Sequence, residues 1–124
     1  MESSILYSTI GFKEIYLGKF DDAIKSLDYS IKLDSSNSWA YSNKALALLK
    51  KGKLDLAKSN VNKSIKLDDK NPFAFKHRAL LFIAENKIES ACNDLSNANQ
   101  LALTERMSDS KLEEIKVLIK KYCD

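Results

Sequence analysis

Apolar and very small residues alternate along the chain at helical spacing, and the whole pattern returns after 34 residues. The repeat is clearest where a glycine or asparagine is followed five residues later by alanine: Gly18 and Ala23, Gly52 and Ala57, Asn86 and Ala91. Such a period is typical of copies of one helical unit that cannot bury its apolar face alone. The pattern therefore predicts three units that align without a gap: 4–37, 38–71 and 72–105.

Each unit is predicted to be a pair of antiparallel helices. Large apolar residues recur at one place of the pattern and small ones at another, as in Leu27 and Gly11 of the first unit. Small residues let two helix axes approach closely where they cross. We expect first helices at about 4–17, 38–51 and 72–85, and second helices at about 20–33, 54–67 and 88–101.

The residues between these helices support the same division. Gly18, Gly52 and Asn86 belong to the residue types that most readily adopt the left-handed conformation that ends a helix. Acidic residues follow at the predicted start of each second helix, where the helix dipole favours negative charge: Asp21, Asp55 and Glu89. The turn within each unit is therefore predicted at the same place three times.

A further amphipathic helix is predicted at about 109–123, after the third unit. Ser110 and Glu113 have the spacing of a capping box, which places a helix start there. Its apolar stripe comprises Leu112, Ile115, Leu118, Ile119 and Tyr122. Because a repeat array needs an end element that is apolar on one face and polar on the other, we expect a capping helix.

These residues resemble the tetratricopeptide repeat (TPR) family in their period and small-residue positions, and the ending from Leu118 to Cys123 is similar to bacterial members. The resemblance implies an all-α fold: a right-handed superhelical α-solenoid of three TPR helical hairpins with a C-terminal capping helix. Residues 1–124 would form a single domain. The departures from the family pattern leave the core positions intact: Glu14, Asn86 and Asp69.

The resemblance also implies a binding surface, because the first helices of TPR units line a concave groove. In this sequence the groove residues are mostly apolar or aromatic: Phe12, Tyr16, Trp39, Asn43, Leu46, Lys50, Phe73, Lys76, His77 and Leu80. Rigid aromatic side chains are favoured anchors at interfaces. We therefore predict a non-enzymatic adaptor or scaffold that binds a peptide or amphipathic helix of another protein. The alternative is that some of these residues fill the gap between neighbouring first helices.

One TPR subclass binds acidic C-termini of chaperones through a clamp of two lysines, two asparagines and an arginine. Only Asn43 matches that clamp, and the other clamp places hold Ser8, Phe12, Phe73 and His77. The permanent cations that would pair with carboxylates are missing there. Since Lys50 and Lys76 replace them only in part, a more apolar ligand is expected.

Two other surfaces provide alternative functions. Leu6, Ile10 and Leu17 lie on the side of the first helix that would contact a preceding unit, which predicts an exposed edge for a homodimer or a heteromeric contact. The second unit carries eight lysines against three acidic residues, a balance of +5. Its outward lysines, including Lys58, Lys63 and Lys66, are expected to be solvated; an acidic partner or RNA is the alternative.

Candidate chemistry adds little to this picture. His77 is the only histidine, and the sequence contains no Gly-rich phosphate loop, nucleophile motif or zinc pattern, so we expect no enzyme, cofactor or metal. The net charge of +3 is too small to predict nucleic-acid binding, and the run from Ala79 to Ala84 is too short to span a membrane. Without a secretory signal we expect a cytoplasmic protein, in which Cys92 and Cys123 are reduced; their pairing is the alternative.

Overall fold

The computed structural model describes residues 3–123, which form seven helices and, in that range, no strand. The helices are α1 (Ser4–Tyr16), α2 (Phe20–Leu33), α3 (Ser38–Lys50), α4 (Leu54–Leu67), α5 (Pro72–Ala84), α6 (Ile88–Thr104) and α7 (Asp109–Tyr122). Three consecutive pairs pack as hairpins, and α7 packs on α6. Met1, Glu2 and Asp124 of the predicted domain lie outside the described residues. No described helix is both long and apolar enough to cross a membrane.

Six of these helices start at the predicted residue and end within one residue of the prediction, but α6 runs three residues past its predicted end. The first two units end their second helix at Asp34 and Asp68. Their carboxylates accept hydrogen bonds from backbone N–H groups two residues onward, at 3.0 and 2.9 Å. Ala102 occupies this place in the third unit and has no such acceptor, so the helix continues to Thr104.

The predicted left-handed residues are confirmed at the end of each first helix. The φ angles of Gly18, Gly52 and Asn86 are 77°, 78° and 60°. In each turn the next residue donates its N–H to a carbonyl five positions back, as Lys19 does to Glu14 at 2.9 Å. These bonds satisfy carbonyl groups that the helix end leaves open, and they reverse the chain.

The small residues lie where the two helices of a hairpin cross. Ala23 is fully buried, as are its counterparts in the other two units. At Gly11 a β-carbon would lie 2.6 Å from Cγ of Leu27, so α1 and α2 approach too closely for any larger side chain without a shift. The predicted close crossing is therefore confirmed.

A buried polar motif, which we call the serine pair, joins the two helices of units one and two. Each serine hydroxyl donates to the other serine's backbone carbonyl, and an asparagine side chain donates to the first hydroxyl. The residues are Ser4, Ser30 and Asn37 in unit one, and Ser38, Ser64 and Asn71 in unit two. The motif satisfies polar groups inside the array without any charged side chain.

Unit three has a different connection. Pro72 and Ala98 replace the two serines. Arg78 of α5 instead holds Asp94 of α6 through two hydrogen bonds of 2.8 and 2.9 Å, and its guanidinium lies 5.5 Å from the ring centroid of Phe75. A two-point bond between a guanidinium and a carboxylate fixes both distance and orientation. The two helices of the third hairpin are therefore joined by an ion pair.

The capping helix differs from expectation in two ways. It begins at Asp109 after the N-cap residue Ser108, so Ser110 lies inside the first turn and the predicted capping box is wrong. The expectation of reduced thiols is also wrong, because Cys92 and Cys123 form a disulfide with their Cα atoms 5.7 Å apart. α7 runs back along α6, which brings the end of α7 to the first turns of α6.

Candidate functional site

The groove lies on the shared face of α1, α3 and α5, which pack side by side. It contains two open pockets. The first, which we call the aromatic pocket, has a volume of about 360 Å³ and is lined by Ile5, Ser8, Thr9, Phe12, Asn37, Trp39, Asn43, Phe73 and Lys111. The second, which we call the polar pocket, has a volume of about 420 Å³ and includes Tyr16, Leu46, Lys50, Lys76, His77, Leu80 and Glu114. The predicted groove residues are thus divided between two pockets.

Three aromatic side chains form one wall of the aromatic pocket, and each comes from a different helix. The ring of Phe73 lies 6.1 Å from Phe12 and 5.2 Å from Trp39, which it meets nearly edge-on. Trp39 is 39% exposed, whereas Phe73 is 5% exposed and fills much of the space between helices. Trp39 and Phe12 therefore offer the accessible apolar surface, and Phe73 supports them.

Lys111 of α7 extends into the aromatic pocket. Its ammonium nitrogen lies 4.8 Å from the ring centroid of Phe12 and 4.6 Å from that of Phe73. A cation at this distance from an aromatic face is attracted by the ring quadrupole. Within residues 3–123 no carboxylate forms an ion pair with Lys111. In the part of the chain that the structure describes, the Lys111 ammonium thus contacts two aromatic rings and no carboxylate.

Asn43 provides the second unusual polar group of the aromatic pocket. The residue is 4% exposed, and its Oδ1 atom has no hydrogen-bond partner in the described part of the chain. Buried acceptors in folded proteins almost always have a partner, because an unsatisfied one loses its hydration without compensation. Two other polar residues of the pocket are engaged: Thr9 donates to the Ile5 carbonyl and Asn37 to the Ser4 hydroxyl, both at 2.9 Å.

Glu114 of α7 crosses the groove at the polar pocket. One carboxylate oxygen accepts a hydrogen bond from the hydroxyl of Tyr16 at 3.2 Å, and the other lies 3.1 Å from the Lys76 ammonium. Burial raises the pKa of Tyr16, and the charge and hydrogen bond of Glu114 raise it further. Glu114 thereby links α1 to α5 through the capping helix.

His77 is a packing residue. It is 2% exposed, stacks on Phe73, and its Nδ1 lies 2.8 Å from the Ser42 carbonyl oxygen. Since a carbonyl only accepts, Nδ1 carries the proton and donates it. Burial chiefly, with a contribution from Lys76, lowers the pKa of His77 to about 3. The neutral ring fills the gap between α3 and α5. His77 is therefore one of the groove residues that pack between neighbouring first helices.

The two alternative surfaces have different characters. Leu6, Ile10 and Leu17 on the predicted edge of α1 are 52%, 36% and 70% exposed. On the outer face of α4, Lys58 is paired with Glu85 at 2.9 Å, so part of the predicted basic patch is neutralised. Within residues 3–123 no group of three or more His, Cys, Asp and Glu side chains is arranged to hold a metal ion.

No family model and no curated protein sequence matches the chain, but solved structures do. The TPR2B domain of yeast Sti1, in complex with pHsp70, is 26% identical with a TM-score of 0.78, over 96% of this chain and 94% of that one. The first TPR of Spaghetti (RPAP3), bound to the HSP90 peptide SRMEEVD, is 23% identical with a TM-score of 0.71, over 95% and 94%. The chain has the tetratricopeptide-repeat fold.

A bacterial structure shows the same TPR arrangement. The type III secretion translocator chaperone SycD of Yersinia enterocolitica, in an alternative dimer, is 24% identical with a TM-score of 0.69, over 92% of each chain. The predicted fold class, an all-α TPR solenoid with a capping helix, is thus confirmed.

The TPR groove contains two side chains that sequence reasoning missed, Lys111 and Glu114. They lie three residues apart, so they share a face of α7 next to the buried Ile115. That spacing was readable in the sequence. The closure of the array that brings α7 to α1 was not, since it depends on the angles between successive hairpins.

Proposed function

We propose that this chain is a non-enzymatic protein-interaction module that binds a short peptide segment of another protein in the aromatic pocket. The observation that carries the proposal is the set of unmatched groups in that pocket. Exposed aromatic surface on Trp39 and an unpaired cation on Lys111 line one space, beside the buried and unpartnered acceptor of Asn43. A single peptide segment satisfies the first two.

Each group selects a different part of that segment. An apolar side chain packs against Phe12 and Trp39, where anchors of this kind contribute about 2 kcal/mol or more. A carboxylate pairs with Lys111 in place of solvent. The preferred ligand is therefore an apolar residue close to an acidic one, which modifies the apolar ligand predicted from the sequence.

Structural neighbours support a peptide as ligand. The Spaghetti domain is bound to an HSP90 peptide and the Sti1 domain is in complex with pHsp70. Four of the five clamp residues expected for acidic chaperone tails are absent from this chain, where Ser8, Phe12, Phe73 and His77 stand instead. The cation comes from the capping helix, so the proposed peptide approaches α7 as well as the first helices.

Selection from a random peptide library, followed by titration monitored by Trp39 fluorescence, tests the proposal. Phe12→Ala with Trp39→Ala should reduce the affinity of selected peptides at least about thirtyfold, measured by calorimetry because the fluorophore is lost. Lys111→Met should weaken acidic peptides and spare neutral ones. Leu103→Ala, on an exposed residue of α6, is the matched control. Failure to select any peptide, or selected peptides that bind the double variant unchanged, would contradict the proposal.

A second candidate function is oligomerisation through the edge of α1. It is favoured by the exposure of Leu6 and Leu17, which are among the most exposed large apolar side chains of the described structure. SycD, a neighbour in fold, has been solved as an alternative dimer. Sedimentation at high protein concentration should then show a dimer that Leu6→Asp with Leu17→Asp dissociates. A monomer throughout would rule this function out.

A further inference from the structure

α7 is covalently tied to α6 at both ends. The chain enters α7 from α6 through the connection at 105–108, and Cys123 at the far end is bonded to Cys92. Between these ties, Ile115 is the one residue of α7 that is fully buried; Leu112, Leu118 and Ile119 are partly buried against the same core. The position of α7 therefore depends on the disulfide as well as on this packing.

The helix held in this way is the one that crosses the groove. Lys111 contacts Phe12 and Phe73, and Glu114 contacts Tyr16 on α1. From Glu114 to Cys123 is nine residues, or about 14 Å along a helix, with Ile115 between them. If α7 pivots on Ile115, Lys111 lies four residues from the pivot and Cys123 eight, on opposite sides. Release of the disulfide end therefore moves Lys111 in the groove by about half as much as it moves Cys123.

Both cysteines are open to exchange. Neither Cys92 nor Cys123 is fully buried, and Cys123 follows the last turn of α7. Thiol–disulfide exchange needs a thiolate to reach one sulfur, so a partly exposed disulfide near a helix end is accessible.

We propose that the Cys92–Cys123 bond is a redox-sensitive clasp that keeps Lys111 and Glu114 across the groove, and that reduction by a dithiol releases α7, withdraws Lys111 from the aromatic pocket and weakens binding of the proposed acidic peptide. One thiolate of the reductant attacks a cysteine sulfur, forms a mixed disulfide and expels the other cysteine as a thiolate. The second thiol of the reductant then displaces the first cysteine. Two electrons and two protons pass to the protein, which gains two thiols, and the reductant becomes a disulfide.

The clasp controls peptide affinity only if the proposed function is correct, but its motion is measurable without any peptide. Hydrogen exchange of the full chain, followed by mass spectrometry with and without dithiothreitol, reports on α7. Reduction should accelerate exchange of amides in 110–118 about tenfold and leave those of α3 and α4 unchanged. Acrylamide quenching of Trp39 should rise about twofold, since Trp39 and Lys111 line the same pocket.

Two sets of variants separate the effect of the disulfide from the effect of Lys111 and Glu114 on the aromatic pocket. Cys92→Ser with Cys123→Ser should show the reduced behaviour without dithiothreitol and no further response to it. Lys111→Met with Glu114→Gln should raise Trp39 quenching while the disulfide stays intact. Lys116→Met, on the exposed face of α7, is the matched control. If the cysteine variant does not fold, the wild-type protein in dithiothreitol still provides the comparison.

The clasp would be overturned if reduction changed exchange only at 119–123, or if free thiols titrated before reduction. The first outcome would mean that the disulfide stabilises only the end of α7. The second would mean that the disulfide is not formed. If instead α7 opens on reduction but no selected peptide binds in either state, the proposed function fails and the clasp stands.

Discussion

Units two and three have the same helix pair and the same small-residue crossing, yet their hairpins are joined by different interactions. Unit two uses the uncharged serine pair, which is buried and complete within the unit. Unit three uses the Arg78–Asp94 ion pair, and its second helix also carries the disulfide to α7. The interior unit is thus held by short neutral bonds, and the terminal unit by charge and a covalent bond.

This difference follows from position in the array. An interior unit is covered on both sides, where unpaired charge is penalised by burial. In the terminal unit Asp94 keeps only 5% of its side chain exposed, but Arg78 keeps 27%. A partly exposed guanidinium is stabilised by water as well as by its partner. The terminal unit can therefore use charge where the interior unit does not.

The largest expected effect is loss of the disulfide. Cys92→Ser with Cys123→Ser should lower the free energy of unfolding by about 3 kcal/mol, because the bond closes a long loop in the unfolded chain. Urea denaturation of the variant and the oxidised wild type measures the difference. Equal midpoints would show that unit three does not depend on its covalent tie.

Asp94→Ala should come next, at about 2 kcal/mol. It leaves the Arg78 guanidinium without its partner, although the exposed part of that side chain is rehydrated, which reduces the loss. Arg78→Met with Asp94→Leu removes both charges and serves as the control, and it should recover much of the stability. If the double variant were as unstable as the single one, packing rather than unpaired charge would be responsible.

Acid should weaken the contact between units two and three through His77. Its pKa is about 3 in the folded protein and 6.5 for the ordinary side chain, so the unfolded chain takes up a proton first as the pH falls. Stability is full above pH 6.5 and is lost progressively toward pH 3, with about 2 kcal/mol gone by pH 5. His77→Asn should flatten this dependence in denaturation curves collected from pH 7 to 5. An unchanged slope would assign it to other groups.

The smallest effect is expected in the serine pair of unit two. Ser64→Ala should lower stability by about 1 kcal/mol, because the hydroxyl bond to the Ser38 carbonyl is lost and that acceptor stays buried. Ser96→Ala, at an exposed position of α6, is the control. A loss larger than that for Asp94→Ala would reverse the order proposed for the two units.

Local signals predicted most of the fold. Gly18 and Asn86 mark helix ends by their own backbone preference, and the small residue at Gly11 marks a crossing by its lack of a side chain. The prediction placed the end of α6 three residues too early. Asp34 and Asp68 end the second helices of units one and two, and Ala102 at the same place in unit three is the sequence signal for a longer helix. The properties of single residues were therefore sufficient to predict features that depend on one helical turn or one close contact.

The candidate site was predicted less completely. Trp39 and Asn43 were assigned to the groove from the family resemblance, and their role in binding stays a prediction. The closeness of Cys92 and Cys123 follows from the antiparallel run of α6 and α7 and was readable in the sequence, whereas Lys111 reaches the pocket only because α7 lies across the array. The Lys111 contact depends on the summed geometry of six preceding helices, which no periodicity in the sequence encodes.

The hydrogen bond between Tyr16 and Glu114 joins residues 98 positions apart. Repeat arrays generally unfold from either end, since each unit touches only its neighbours. Here side chains of the first helix and the last are in contact, which adds a link between the two ends of the row of units. Fraying at one end should therefore be felt at the other, and the chain should unfold more nearly as a single cooperative unit than its repeats alone imply.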